Sequence, residues 1–343
     1  MNGPLHDVSK LLVVLPSWVG DAVMATPALR ALRASLPGTR IEGLGRPGLD
    51  AVLEGAPFLD AFHVHSMRGW LGPFTGVGRF RAMRFDAVLL LPNSPRSGLF
   101  ALATGAPRRL GWSRDGRGWM LTHRLPAPKD RAPRSAVDWY ADLVAWALKR
   151  PVTDRTVSLA CSASERAAGE RLLEGLARPI TILNPGANRE DKRWPAERFG
   201  ALAERLLQAR GGSVCVTGGP AEREVVARVV QASGDRAVNL IERGVSLGSL
   251  KAAIGLADLL VTNDTGPRHL AAGMGTRCVS LFGPTDPRWA ALHEAAGPAR
   301  EIQLLAEPFL PAEIVADRVA RFCGMDRIGV GDVLHACVRL LTT

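Results

Sequence analysis

One tyrosine, Tyr140, five lysines and five cysteines are spread through 343 residues, and each shortage narrows what the chain can be. The cysteines, Cys161, Cys215, Cys278, Cys323 and Cys337, are odd in number and widely spaced, and none forms a C-x-x-C pair. That argues for a reducing compartment and against a disulfide framework or a zinc cluster. No uninterrupted apolar run approaches the roughly 18 to 20 residues needed to cross a bilayer; Ala87–Leu91 is the best short one. The run Leu11–Leu15 has only Lys10 close before it, and Asp21 breaks the stretch after it, so no export signal is expected. A soluble or peripheral protein is the expectation. Also missing is G-x-G-x-x-G with an acidic residue about 20 positions on, which a dinucleotide-dependent oxidoreductase should carry. A nucleic-acid-binding protein would use aromatic stacking positions and a module motif, and neither is found, so no nucleic-acid partner is expected.

Arginine, by contrast, is abundant. The formal charge is +10, from 43 Lys+Arg against 33 Asp+Glu, and lysine occurs only at Lys10, Lys129, Lys149, Lys192 and Lys251. Residues 1–160 hold 21 basic and 12 acidic side chains, so nearly all the net charge falls in the first half. A basic half of this kind suits a polyanion such as a phosphorylated glycolipid or an acidic membrane face. Genome composition favouring arginine is the competing account.

With 47% hydrophobic and 22% charged residues the chain can bury a large core, and its length points to two domains. Short aliphatic runs read as strands at Leu11–Leu15, Ala87–Leu91, Ile180–Leu183, Ser213–Thr217, Leu259–Thr262 and Cys278–Phe282. Helix-length amphipathic segments alternate with them at Pro27–Ser35, Ala196–Ala209, Glu222–Ala232 and Leu247–Ala257. This rhythm predicts an α/β fold with parallel sheets covered by helices on both faces. It runs twice, separated by a weak interval from Lys149 to Glu165. The expected organisation is a first domain over 1–160, a second over 161–328, and a C-terminal helix in 329–343 that packs back on the first. The ligand cleft is expected where the carboxyl ends of the two sheets face each other.

Four loops at predicted strand ends carry the chemistry. Pro16-Ser17-Trp18-Val19-Gly20-Asp21 puts a carboxylate at a strand-to-helix turn, where Asp21 is either an ordinary N-cap or a reactive group. Asn184-Pro185-Gly186-Ala187-Asn188 lets backbone N–H groups approach an anion, and Lys192 on the same loop either binds phosphate or points to solvent. In Thr217-Gly218-Gly219-Pro220-Ala221-Glu222-Arg223-Glu224 a carboxylate either accepts ribose hydroxyls or simply starts a helix. Asn263-Asp264-Thr265-Gly266-Pro267-Arg268-His269 has the makings of a phosphate site at a helix mouth.

Taken together, S-x-x-G-D, N-P-G-A with D-K-R-W-P, G-G-P-x-E, and N-D-T-G-P-x-H-x-A-A followed by F-G-P-T-D-P resemble glycosyltransferase family nine, the ADP-heptose:lipopolysaccharide heptosyltransferases. The resemblance covers nearly the whole chain. The stretch Leu91-Pro92-Asn93-Ser94, with Ser97, Gly105-Ala106-Pro107 and Arg109-Leu110-Gly111-Trp112, is most similar to the heptosyltransferase II branch. Extra cysteines often precede the C-M segment in this family, whereas here only Cys323-Gly324-Met325 is found. The resemblance implies a GT-B fold of two doubly wound Rossmann-like domains facing across a cleft, the first for the acceptor and the second for ADP-heptose. It implies Asp21 as the catalytic base, with Ser17 and Gly20 shaping its turn and counted with the donor-binding residues. Lys192 and the loop of Asp264, Thr265 and Gly266 would contact the diphosphate, with His269 close by. Gly186 and Asn188 would line the donor, Glu222 would bind ribose with Glu224 as the fallback, and Val245 would lie along adenine. It further implies a cytoplasmic enzyme that needs no cofactor or essential metal. Its partners would be a nucleotide sugar, an anionic glycolipid acceptor and, peripherally, the inner membrane.

Overall fold

The structure, a computed structural model, describes residues 3–67, 69, 72–128, 132–283, 285–293, 300–306 and 324–342. Lys129 and Cys323 lie outside these residues. The chain divides into two compact units, one of Met1–Val157 with Trp289–His293 and the other of Ser158–Arg288 with Glu294–Thr343.

The first unit is built on six parallel strands: β1 (Lys10–Val14), β2 (Arg40–Gly45), β3 (Ala61–Val64), β4 (Ala87–Leu90), β5 (Arg108–Ser113) and β6 (His123–Pro126). Their order is β3-β2-β1-β4-β5-β6. Leu11 to Val14 are buried on both faces of β1, which pairs Leu11 with Ile41 on one side and Ala87 on the other. Strands enclosed in this way read as continuous apolar runs, which is why β1 and β4 are plain in the sequence.

The second unit repeats the plan with β7 (Ile180–Asn184), β8 (Ser213–Val216), β9 (Val238–Asn239), β10 (Leu259–Asn263), β11 (Cys278–Phe282) and β12 (Glu301–Leu305). The order is β12-β11-β10-β7-β8-β9, again all parallel. In both sheets the strand order reverses beside the first strand, between β1 and β4 and between β7 and β10. Ligands of doubly wound sheets settle at the carboxyl ends of the strands at such a switch point.

The C-terminal helix, expected from the sequence to reach back to the first half, packs instead inside the second unit. Val333, Ala336, Cys337 and Leu340 of Val330–Thr342 form one apolar stripe, and this stripe completes a core containing Trp194, Phe199, Leu202 and Leu206. Trp194 is wholly buried, crosses Phe199 edge to face at 4.8 Å and donates its indole N–H to the Ile328 carbonyl at 3.0 Å. Among the described residues no helix is long and apolar enough to cross a membrane.

Candidate active site

The carboxyl end of β1 leads through exposed Ser17 and Trp18 into a short helix, Val19–Met24. Its N-cap is Trp18, so Asp21, the third residue of the helix, lies in the first turn and is not the cap. Gly20 is buried in the same turn and is not among the positive-φ glycines, so a left-handed turn is not what it provides. The Asp21 carboxyl has no hydrogen-bond or ion-pair partner among the described residues, and burial pushes its pKa up to about 6. Its charge also reaches Tyr140, whose phenol is raised first by burial and then by Asp21.

The carboxyl end of β4 is held by a residue the motifs did not reveal. Arg117 is fully buried and donates to the Trp112 carbonyl at 3.1 Å, Ser97 Oγ at 3.0 Å, Asn93 Oδ1 at 3.1 Å and the Pro92 carbonyl. All four acceptors are neutral, and burial lowers its pKa to about 10, the nearby Asp115 charge opposing this. A strand-end loop is thus fixed from beneath by a buried cation.

In the second unit the last residues of β7 and β10 bind their two loops together. Asn184 Nδ2 donates to Thr262 Oγ1 at 3.1 Å and Thr265 Oγ1 at 3.3 Å, while Asn263 Nδ2 donates to the Pro185 carbonyl at 2.9 Å. Asn263 Oδ1 accepts from the Trp194 N–H at 3.1 Å, which anchors the segment carrying Lys192. Lys192 Nζ lies 3.2 Å from Asp264 Oδ2, and Thr285 Oγ1 donates to the same oxygen at 3.0 Å. Burial by itself would raise the Asp264 pKa, but the charges of Lys192 and Arg268 outweigh it and hold the carboxyl below its ordinary value. Arg268 is fixed in turn by Glu301, at 2.6 Å and 2.9 Å.

Helix Gly266–Met274 starts at this point with Thr265 as its N-cap. The N–H groups of Thr265 and Gly266 have no acceptor among the described residues. His269, on the same helix, is buried and pushed down to about 4, first by burial and then by the Arg268 charge. It is a neutral imidazole whose Nδ1 has no partner among the described residues, so it brings no positive charge to an anion.

Gly186 lies directly against Glu222: a Cβ added there would sit 1.9 Å from Glu222 Oε1. Glu222 Oε2 accepts the Gly219 N–H at 2.7 Å, which aims the carboxylate at the loop after β7. Glu224 is exposed, as is Asn188, and neither meets a member of this cluster through a hydrogen bond or ion pair among the described residues. Val245 packs against the second unit's core, with its N–H bonded to the Leu240 carbonyl at 3.2 Å. Lys192, Asp264, Thr265 and Gly266 are therefore brought together, and Gly186 meets Glu222. Asn184, Asn263, Arg268 and Thr285 stand in the quoted motif stretches but were given no role from the sequence, and Glu301 lay outside every motif. Among the described residues no group of three or more His, Cys, Asp or Glu side chains is placed to hold a metal ion.

Two doubly wound parallel units, with polar loops gathered at the switch point of each, define the chain as an α/β protein of the GT-B class. It belongs to glycosyltransferase family 9 (heptosyltransferase), whose sequence profile matches residues 77–306, and it is a glycosyltransferase. The lipopolysaccharide heptosyltransferase 2 of Salmonella typhimurium is 27% identical over 81% of this chain and 84% of its own length. A family 9 glycosyl transferase structure from Veillonella parvula superimposes with TM-score 0.83 at 24% identity, covering 97% of both chains. The structure of E. coli ADP-heptose lps heptosyltransferase II gives TM-score 0.81 at 24% identity, covering 97% of this chain and 98% of its own.

Proposed function

We propose that this protein transfers a heptose from ADP-heptose to a sugar hydroxyl on the inner core of lipopolysaccharide, inverting the anomeric carbon and using no metal. The observation that carries this reading is the cluster of Lys192, Asp264 and the open N–H groups of Thr265 and Gly266 at the carboxyl end of β10. It offers fixed positive potential of the kind a departing diphosphate needs, which a divalent cation supplies in other transferases. The kinship with a lipopolysaccharide heptosyltransferase supports both the sugar and the acceptor.

In this reading the acceptor oxygen bonds to the anomeric carbon as the bond to the diphosphate oxygen breaks on the opposite face. Asp21 takes the hydroxyl proton, and ADP leaves with the bonding electron pair, its charge met by Lys192 and the helix start. A carboxyl raised to about 6 is still ionised at neutral pH and is a stronger base than an ordinary one. Glu222 takes the ribose hydroxyls, Val245 lies along the adenine, and Gly186 and Asn188 line the donor. Ser17 and Gly20 belong to the turn that presents Asp21. The enzyme works in the cytoplasm, in peripheral contact with the inner membrane, with its basic first domain toward the anionic glycolipid and its second holding the nucleotide sugar. The test is incubation with ADP-heptose and lipopolysaccharide cores truncated before and after their first heptose, in the presence of a chelator. Mass spectrometry should show one added heptose, and NMR the opposite anomer; no product, or product only with added metal, sinks the corresponding part.

A further inference from the structure

Trp18 and Arg46 form a pair that nothing in the reaction as described employs. Trp18 is 59% exposed, three residues before Asp21, and its carbonyl accepts the Ala22 N–H at 2.9 Å, so it is part of the turn that presents the base. Leaving an indole in water forgoes the burial that usually rewards so large an apolar surface. Arg46 follows β2, the neighbour of β1 in the sheet. Its guanidinium stands over the Trp18 ring, 5.8 Å from the centroid, and donates to the Ser17 carbonyl at 3.4 Å. Among the described residues Arg46 has no carboxylate partner. An exposed indole and a planar cation without a carboxylate partner among the described residues thus stand together, the cation over one face of the ring, three residues before the proposed base.

We infer that Trp18 and Arg46 are an acceptor subsite for an anionic sugar, a deduction that rests on the reading of Asp21 as the base. The negative face of the indole receives the C–H face of a pyranose ring, which is partially positive. The guanidinium takes that sugar's carboxylate or phosphate through its fork of donors. Because Trp18 is joined to Asp21 by one helical turn, a ring stacked there brings its hydroxyl to the carboxylate in a fixed position. The pair selects a charged acceptor sugar and positions it.

Calorimetry with the whole protein, in the absence of donor, tests this. The probe is de-O-acylated lipopolysaccharide from a strain whose core lacks heptose. Trp18→Ala and Arg46→Gln should each weaken binding at least tenfold, with Trp18→Phe recovering most of it and ADP affinity unchanged in all three. With a probe both dephosphorylated and carboxyl-reduced, Arg46→Gln should bind as the parent does, and the singly treated probes tell which anion is read. A parent that does not bind the probe, or variants that bind it as tightly as the parent, overturns the subsite. An undiminished Arg46→Gln effect on the doubly treated probe overturns the anion assignment. Transfer from ADP-heptose is measured separately: binding lost in the variants with no transfer by the parent would uphold the subsite and sink the proposed reaction. Transfer with an unchanged acceptor KM in the variants sinks the subsite alone.

Discussion

In the second unit the Lys192 ammonium and the Asp264 carboxylate face each other at 3.2 Å, both largely withdrawn from solvent. The pair also has Thr285 as a third member, donating to the oxygen that Lys192 approaches. An incoming diphosphate finds a cation that is held in place and partly neutralised. It must share Lys192 with Asp264, and the N–H groups of Thr265 and Gly266 supply the attraction that Asp264 cancels.

Lys192→Ala should therefore weaken ADP and ADP-heptose alike. A lost charge-assisted contact costs on the order of 1.5 to 3 kcal/mol. Calorimetric titration with ADP checks this, and an unchanged affinity removes Lys192 from the diphosphate site.

Asp21→Asn should lower single-turnover transfer by about 10² to 10⁴, the usual worth of general-base assistance, while ADP affinity stays at the parental value. In the parent, kcat/KM should fall as pH drops through about 6, because the protonated carboxyl is no base. A parental rate in the variant would end the assignment.

The same carboxyl makes a prediction about stability. The folded Asp21 pKa is raised from 3.8 to about 6, so the native state holds the proton more tightly than the unfolded chain. The ionised group disfavours folding in full above about pH 6, and the penalty fades as pH falls toward 3.8. Asp21→Asn should be more stable than the parent in denaturant at pH 8, and the gap should close by pH 4. An N-cap at this position would have shown no such gain.

Gly186→Ala should cost the second unit little, because its new Cβ would land on the far end of the flexible Glu222 side chain, which can turn aside by giving up the Gly219 N–H. The loss of that one hydrogen bond is worth about 0.5 to 1.5 kcal/mol. In a Glu222→Ala background Gly186→Ala should cost nothing further, and a double-mutant cycle in urea measures the coupling. Additive effects would mean that the two residues do not meet.

Arg117→Met should loosen the first unit by on the order of 3 kcal/mol, since buried acceptors left without a donor carry about 1 to 3 kcal/mol each. Chemical denaturation reads the loss. If Met proves neutral, the loop after β4 is held by something other than the guanidinium.

How much of this was legible from the sequence depended on whether a residue's partners were nearby in the chain. Strands β1, β4, β7, β8, β10 and β11 are apolar runs and can be read directly. Strand β2 is not, because Glu42 and two glycines break its pattern. Glu42 is buried; Arg40, two residues earlier, donates to it at 2.6 Å, but His63 on β3 at 2.6 Å and Lys10 on β1 at 3.5 Å are partners that only the folded sheet brings near. The loop residues Lys192, Asp264 and Glu222 stood out because several small and polar residues cluster at strand ends. Thr285 reaching Asp264, Asn184 reaching Thr265, and Arg117 beneath Pro92 join loops from different strands, and no spacing rule connects them. His269 sat inside a recognisable motif, yet its neutrality comes from burial and from Arg268, neither of which the motif conveys.

The recurrence of one strand order in both units has a consequence for how this enzyme can change. Position for position, the loop that carries Asp21 after β1 corresponds to the loop that carries Gly186 and Lys192 after β7. Likewise the Asn93 loop after β4 corresponds to the Asp264 loop after β10. The two halves are the same socket wired differently, and the wiring lies in the loops that follow the strands. New donors or acceptors can therefore be sought by grafting those loops between relatives, leaving untouched the buried strands that make each half fold.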